Sequence, residues 1–160
     1  MKTNKKNGFT LIELIMVMII LGIMAAVAIP RYLETIQKSE VASEDAVVNN
    51  IVVALENYAQ NKMLTEGRRY WPSNPFDALV TKPQSYSQEG TPCDEDNEWT
   101  FVVDASDGAF TGYISHQRAD NSRFQWSYNK GINTGTDNDA TGTLYKRSDL
   151  GTGGTEILFK

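Results

Sequence analysis

The sequence predicts an α+β fold: a long N-terminal helix, membrane-spanning in its first half and amphipathic in its second, packed on a small antiparallel β-sheet. Three observations carry that expectation. Residues 9–29, FTLIELIMVMIILGIMAAVAI, are apolar except for Thr10 and Glu13. Residues 31–62 hold neither glycine nor proline and repeat apolar side chains at helical spacing. From Trp99 onward, β-branched and aromatic residues alternate with polar ones in short runs between turn residues.

The apolar run is the first element. At about 1.5 Å per residue it spans roughly 30 Å, the thickness of a bilayer's hydrocarbon core. The leader before it, MKTNKKNG, carries Lys2, Lys5 and Lys6 and no acid. Positive charge stays on the cytoplasmic side, which places residues 31–160 outside. Three readings compete. A secretory signal peptide would use Ala26-Val27-Ala28 as its cleavage site and yield a secreted binding protein cut after Ala28, but the run is long for that role and Glu13 is out of place in it. A plain membrane anchor also leaves Glu13 unexplained, because a carboxylate in lipid is costly unless it is paired or near the interface. The third reading gives every unusual residue a role.

Gly8-Phe9-Thr10-Leu11-Ile12-Glu13, behind a short basic leader, resembles the processing motif of type IV prepilins and type II secretion pseudopilins. Gly22 and Pro30 sit where that family has helix-softening residues. The resemblance implies cleavage between Gly8 and Phe9 by a prepilin peptidase, N-methylation of Phe9, and retention of the apolar segment. It implies a bacterial inner-membrane precursor with its head outside the cytoplasm. An inner-membrane assembly platform would then move it into an extracellular or periplasmic filament with its own copies and other pilins. The implied function is a structural subunit of a type IV pilus or pilus-like filament, with a pseudopilin of a type II protein secretion system as the alternative. Losing the leader's three lysines would take the formal charge from −5 to −8.

Glu13 has a physical reason under this reading. Cleavage exposes an α-amine, positive near neutral pH. In a helix, residue 13 lies one turn from residue 9 on the same face. A lone carboxylate in a dry filament core is costly, whereas one paired with an amine is tolerable. A neighbouring subunit's amine is the family's usual partner, which makes Glu13 the candidate assembly residue; a place at the lipid headgroups is the alternative. Proline and glycine both weaken a helix. Residues 23–29, between Gly22 and Pro30, are therefore a candidate for local melting on polymerisation, against a simple kink or a helix end at Ile29.

The domains follow: a cleaved leader over 1–8, a transmembrane and filament-core helix over 9–30, and a globular pilin-like head over 31–160. In the head an amphipathic helix is expected over 31–63, a loop over 64–98 and the sheet over 99–160. Val47, Val48, Ile51, Val52, Leu55, Tyr58 and Ala59 form one helical stripe, which residues 38–46 lack. Residues 9–62 could form a single helix about 80 Å long, bent near Pro30. Gly67 ends the helical pattern, and Pro72, Pro75, Pro83 and Pro92 mark the loop. Tyr70, Trp71, Phe76, Leu79 and Val80 are expected to pin that loop to the core. Strands are expected over 99–103, over 109–115 and through Phe124, Trp126 and Tyr128, with weaker ones over 143–146 and 156–159.

Composition limits the chemistry. The 160 residues carry 15 Lys and Arg against 20 Asp and Glu, a formal charge of −5. That balance argues against a general nucleic-acid binder, which needs basic surface to displace counterions, so no specific nucleic acid is expected as a partner. Cys93 is the single cysteine and His116 the single histidine, which excludes an internal disulfide, a cysteine-cluster metal site and a two-histidine zinc site. No Walker phosphate loop, G-x-S-x-G elbow or H-E-x-x-H motif occurs, and no enzymatic activity is expected.

One candidate metal site remains. Residues 133–142, NTGTDNDATG, offer Asp137, Asn138 and Asp139 as hard oxygen ligands beside glycines, with Asp149 from the next segment, a set suited to calcium. A solvated turn is the alternative, and EF-hand spacing is absent. The major pseudopilins that the chain resembles are known for a calcium site in this general region. Asp94-Glu95-Asp96 is expected to cap a loop and His116 to lie on a strand surface. The lone Cys93 departs from type IVa pilins, many of which close a C-terminal loop with a disulfide, and leans toward pseudopilins.

Overall fold

The structure, a computed structural model, describes residues 9–104, 111–132, 141–151 and 157–159. Two compact units make up the chain, Met1–Ser43 and Glu44–Lys160. Helix α1 spans Leu11–Glu66 and contains Pro30. It ends at Gly67, whose φ of 75° is left-handed and whose N–H donates to the Met63 carbonyl at 3.0 Å. A residue with a Cβ is strained in that conformation, which is why glycine closes helices this way.

In the first unit every residue from Phe9 to Ser39 is exposed. In the second unit α1 buries Glu44, Val48, Ile51, Leu55 and Ala59, a single face at spacings of three and four. Val47 and Val52 pack at its edge. The apolar part of this stripe is the one the sequence predicts; Glu44 at its start lies within residues 38–46, where the sequence predicts no stripe.

The sheet comprises β1 (Tyr86–Ser87), β2 (Trp99–Val103), β3 (Gly112–Gln117), β4 (Arg123–Asn129), β5 (Thr143–Tyr145), β6 (Ser148–Asp149) and β7 (Ile157–Phe159). Its order is β1-β2-β3-β4-β5-β7, with β6 pairing β4. Among the described residues only β1 and β2 run parallel; the other pairs are antiparallel. Strands β2, β3 and β4 form the expected meander, registered Phe101 to Ile114 and Ile114 to Trp126. Strand β3 begins at Gly112 and runs on through His116 to Gln117, later than expected. Residues 109 and 110 lie outside the described residues.

Of the segment 64–98 expected as loop, residues 64–66 belong to α1 and Tyr86–Ser87 form β1. Between them Pro75–Ala78 forms a single 3-10 turn, where Asn74 Oδ1 accepts the Phe76 N–H at 3.0 Å. Trp71 and Phe76 join the core, and Leu79 is half-buried. Val80 does not join it: it is fully exposed, because Leu79 takes the inward position and the next side chain points away.

The core lies where the α1 stripe meets Trp99, Phe101, Ile114, Trp126, Tyr128 and Leu144. Trp99 stacks on Trp126 at 5.5 Å, and Phe101 meets Tyr128 edge-on at 6.1 Å. The Tyr128 hydroxyl donates to the Pro72 carbonyl at 2.8 Å, tying the loop to the sheet. Thr100, Ser115, Gln125 and Ser127 are also buried, so both faces of the meander are covered. These polar residues find partners: Thr100 and Ser115 share a hydrogen bond of 2.7 Å, Cys93 N–H donates to Ser115 Oγ at 3.0 Å, and Gly151 N–H donates to Gln125 Oε1 at 2.8 Å.

Candidate assembly surface

The start of α1 is built by two side chains. Thr10 precedes the first helical residue, and Glu13 stands three positions later. Glu13 Oε2 accepts the Thr10 N–H at 2.8 Å and the Thr10 hydroxyl at 2.7 Å, while the Glu13 N–H donates to Thr10 Oγ1 at 3.4 Å. This is a reciprocal capping box, which satisfies free helix N–H groups and sets a negative charge at the positive end of the helix. The T-x-x-E spacing of such a box is legible in the sequence. Phe9, beside this cap, is 86% exposed. Gly8 lies outside the described residues.

Beyond the cap, large apolar side chains from Leu11 to Ile36 stand exposed. By length and composition α1 includes a stretch able to cross a membrane. Water-soluble monomers rarely carry apolar surface on this scale, and lipid or other apolar helices are what fit it. At Gly22 an added Cβ would meet nothing within 4 Å, so no contact within the chain requires glycine there. Pro30 sits inside the helix, and residues 23–29 are helical.

The head holds a charge cluster around a buried carboxylate that sequence reasoning missed. Glu44 is 1% exposed. Arg118 Nε and Nη2 donate to its two oxygens at 2.5 and 2.6 Å, and Arg147 Nη1 donates to Oε2 at 2.9 Å. Both guanidinium groups lie over Phe124, at 4.1 and 5.1 Å from the ring centre. His116 Nε2 stands 3.7 Å from Glu44 Oε1. His116 Nδ1 is 2.9 Å from the Glu98 carbonyl, which can only accept, so Nδ1 carries the hydrogen.

His116 corrects an expectation. It is buried rather than on a strand surface, stacked on Trp99 at 4.1 Å. Its position two residues after Ile114 puts it on the inward side of β3, where the pleat carries it into the core. Of the calcium candidates, Asp137, Asn138 and Asp139 lie outside the described residues, and Asp149 lies in β6 opposite Phe124. Among the described residues no three His, Cys, Asp or Glu side chains are grouped as metal ligands. In the acidic loop it is Glu98 that caps, accepting the N–H groups of Asp94 and Glu95 at 2.9 and 3.3 Å.

Cys93 is buried, and burial pushes its thiol above the ordinary value of 9.0. The folded chain thus holds this proton more tightly than the unfolded chain. The stability this contributes is full below the unfolded value and is lost as pH rises through the folded one. We expect Cys93 to resist an aromatic disulfide reagent at pH 8 and to react stoichiometrically in denaturant. Rapid reaction of the native chain would contradict its burial.

Comparison with known proteins matches residues 3–29 to the family described as "Prokaryotic N-terminal methylation motif". The chain is 32% identical over 108 residues to the type IV narrow pilus major component PilA5 of Thermus thermophilus, covering 67% of this chain and 86% of that protein. It is 36% identical over 83 residues to the type II secretion system core protein G of Aeromonas hydrophila, covering 52% of this chain and 55% of the relative. It is also 36% identical over 80 residues to the type IV major pilin PilE1 of Neisseria gonorrhoeae, covering 50% and 45%. The chain thus spans about half the length of the core protein G and PilE1 relatives. No solved structure matches it.

Proposed function

Because this chain belongs to the family of type IV pilins and type II secretion pseudopilins, we propose that it is a structural subunit of a type IV pilus or pilus-like filament. It is inserted in the inner membrane as a prepilin, cut after Gly8 by a prepilin peptidase, methylated on Phe9 and polymerised through its N-terminal helix. The observation that carries this reading is the exposed apolar surface of α1 over its first unit, capped by Thr10 and Glu13. Lipid covers such a surface in the precursor, and the same surface on other copies covers it in a filament.

Cleavage changes what Glu13 faces. The Phe9 nitrogen becomes a cation one turn away, and the carboxylate that caps α1 gains a charged partner, its own or a neighbour's. The mature chain is expected to begin at Phe9 and to weigh one methyl group more than its sequence; a start at Ile29 would instead favour the secreted binding protein. Glu13→Gln is expected to leave processing intact and to reduce filament yield by at least about tenfold, the scale of one lost charge-assisted contact. Normal filaments from that variant would remove the pairing role. Similarity to core protein G and the lone, buried Cys93 favour a second reading, a type II secretion pseudopilin. Deleting the gene separates the two: loss of surface pili supports the first, and retention of secreted enzymes in the periplasm supports the second.

A further inference from the structure

The stripe that docks α1 on the sheet opens with a charge. Val48, Ile51, Leu55 and Ala59 are all aliphatic, and such a stripe by itself tolerates a slip of one helical turn, about 5.4 Å. A buried ion cluster adds little net stability, because apolar residues of similar volume serve as well. What it adds is geometry. Arg118 directly follows β3, and Arg147 lies between β5 and β6. One helical carboxylate is thereby indexed against two separate parts of the sheet, by a bidentate contact at 2.5 and 2.6 Å and a third at 2.9 Å.

A slip in either direction breaks this arrangement. One direction brings Val48 to the two guanidinium groups, leaving that of buried Arg118 against an aliphatic side chain. The other brings Glu40 to them, but drives the Glu44 carboxylate into the apolar seat of Val48. Both displaced states bury an uncompensated charge. Phe124, beneath both arginines, limits the directions in which they can follow.

The geometry points to Glu44, Arg118 and Arg147 as a register pin: a cluster that fixes the height and rotation at which the helix docks on the sheet. It acts in every folded copy. Its consequence for assembly rests on the filament reading, since a regular filament surface requires every head to dock its helix identically.

The test reads register directly, on the full chain in detergent micelles. Nitroxide labels at Val53→Cys and Ala119→Cys, both exposed positions, leave buried Cys93 unlabelled. With the pin intact, pulsed electron-spin resonance is expected to give one narrow distance. Glu44→Met/Arg118→Met/Arg147→Met is expected to stay folded but to show a second population, displaced by several ångströms, in at least about a tenth of the molecules. A folded triple variant with the single original distance would overturn the pin. Should the triple variant not fold, Glu44→Gln takes its place with the same two outcomes. Failure of both variants to fold would make the cluster a plain stabiliser and equally overturn the proposal. No filament is present in this measurement, so its result stands apart from the mass of the mature N-terminus, which tests the filament reading.

Discussion

Gly112→Val is expected to cost the head about 4 kcal/mol or more of folding stability, near the upper end for a single substitution. A Cβ at this position would lie 2.1 Å from the Val102 carbonyl oxygen and 2.9 Å from Phe101 Cζ. The first of these is backbone, and Val102 pairs with Tyr113 within the β2–β3 ladder. It cannot retreat without opening that pairing. The second is a core ring already set edge-on against Tyr128. Gly112 itself is registered to Val103 on one side and Tyr128 on the other, so both neighbouring strands must move. The change should appear as a large drop in the urea midpoint, followed by tryptophan fluorescence, because Trp99 and Trp126 lie in the same core. Gly22→Ala is the control: open space surrounds that position, and the head midpoint should not move. A Gly112→Val midpoint equal to that of the unaltered chain would mean that β2 and β3 do not pair as described.

Glu44→Ala is the second large effect, with an expected loss of about 3–5 kcal/mol. It strips the carboxylate from two guanidinium groups, one of them on a residue only 8% exposed. Arg118→Ala should fall in the same range, since it leaves a carboxylate that is 1% exposed with Arg147 as its remaining arginine partner. The double variant should cost less than the sum of the two, because removing both ends leaves fewer buried charges behind. Thermal unfolding followed by circular dichroism gives all three values. Additive losses would mean that the two residues do not act on each other.

The parts of this fold that sequence made legible are those with a period. Val48, Ile51, Leu55 and Ala59 recur as a helix requires, and Phe124, Trp126 and Tyr128 alternate as a strand requires. Glu44 escaped because its partners, Arg118 and Arg147, are 74 and 103 residues away, and no local pattern connects them. A glutamate in KSEVASEDA carries the same signature whether it faces water or two arginines. The two-residue β1 has no period at all, and its parallel pairing with β2 is a tertiary fact. His116 is different: continuing the alternation Gly112, Ile114 by two residues would have placed it inside. At the candidate assembly surface the residues were legible and their present contacts were not. Glu13 stands out as a charge within an apolar run, whereas Thr10, whose hydroxyl engages it, reads in the sequence only as a polar interruption.

Strand β1 is the outermost strand on its side of the sheet and only two residues long. Exposed strand margins are templates on which a second chain can add, and the hazard grows with their length. A protein crowded among its own copies meets that hazard more often than one diluted in cytosol. Among the described residues, β1 offers a margin only two residues long. A chain set beside its own copies would therefore find little along this margin on which to add a further strand.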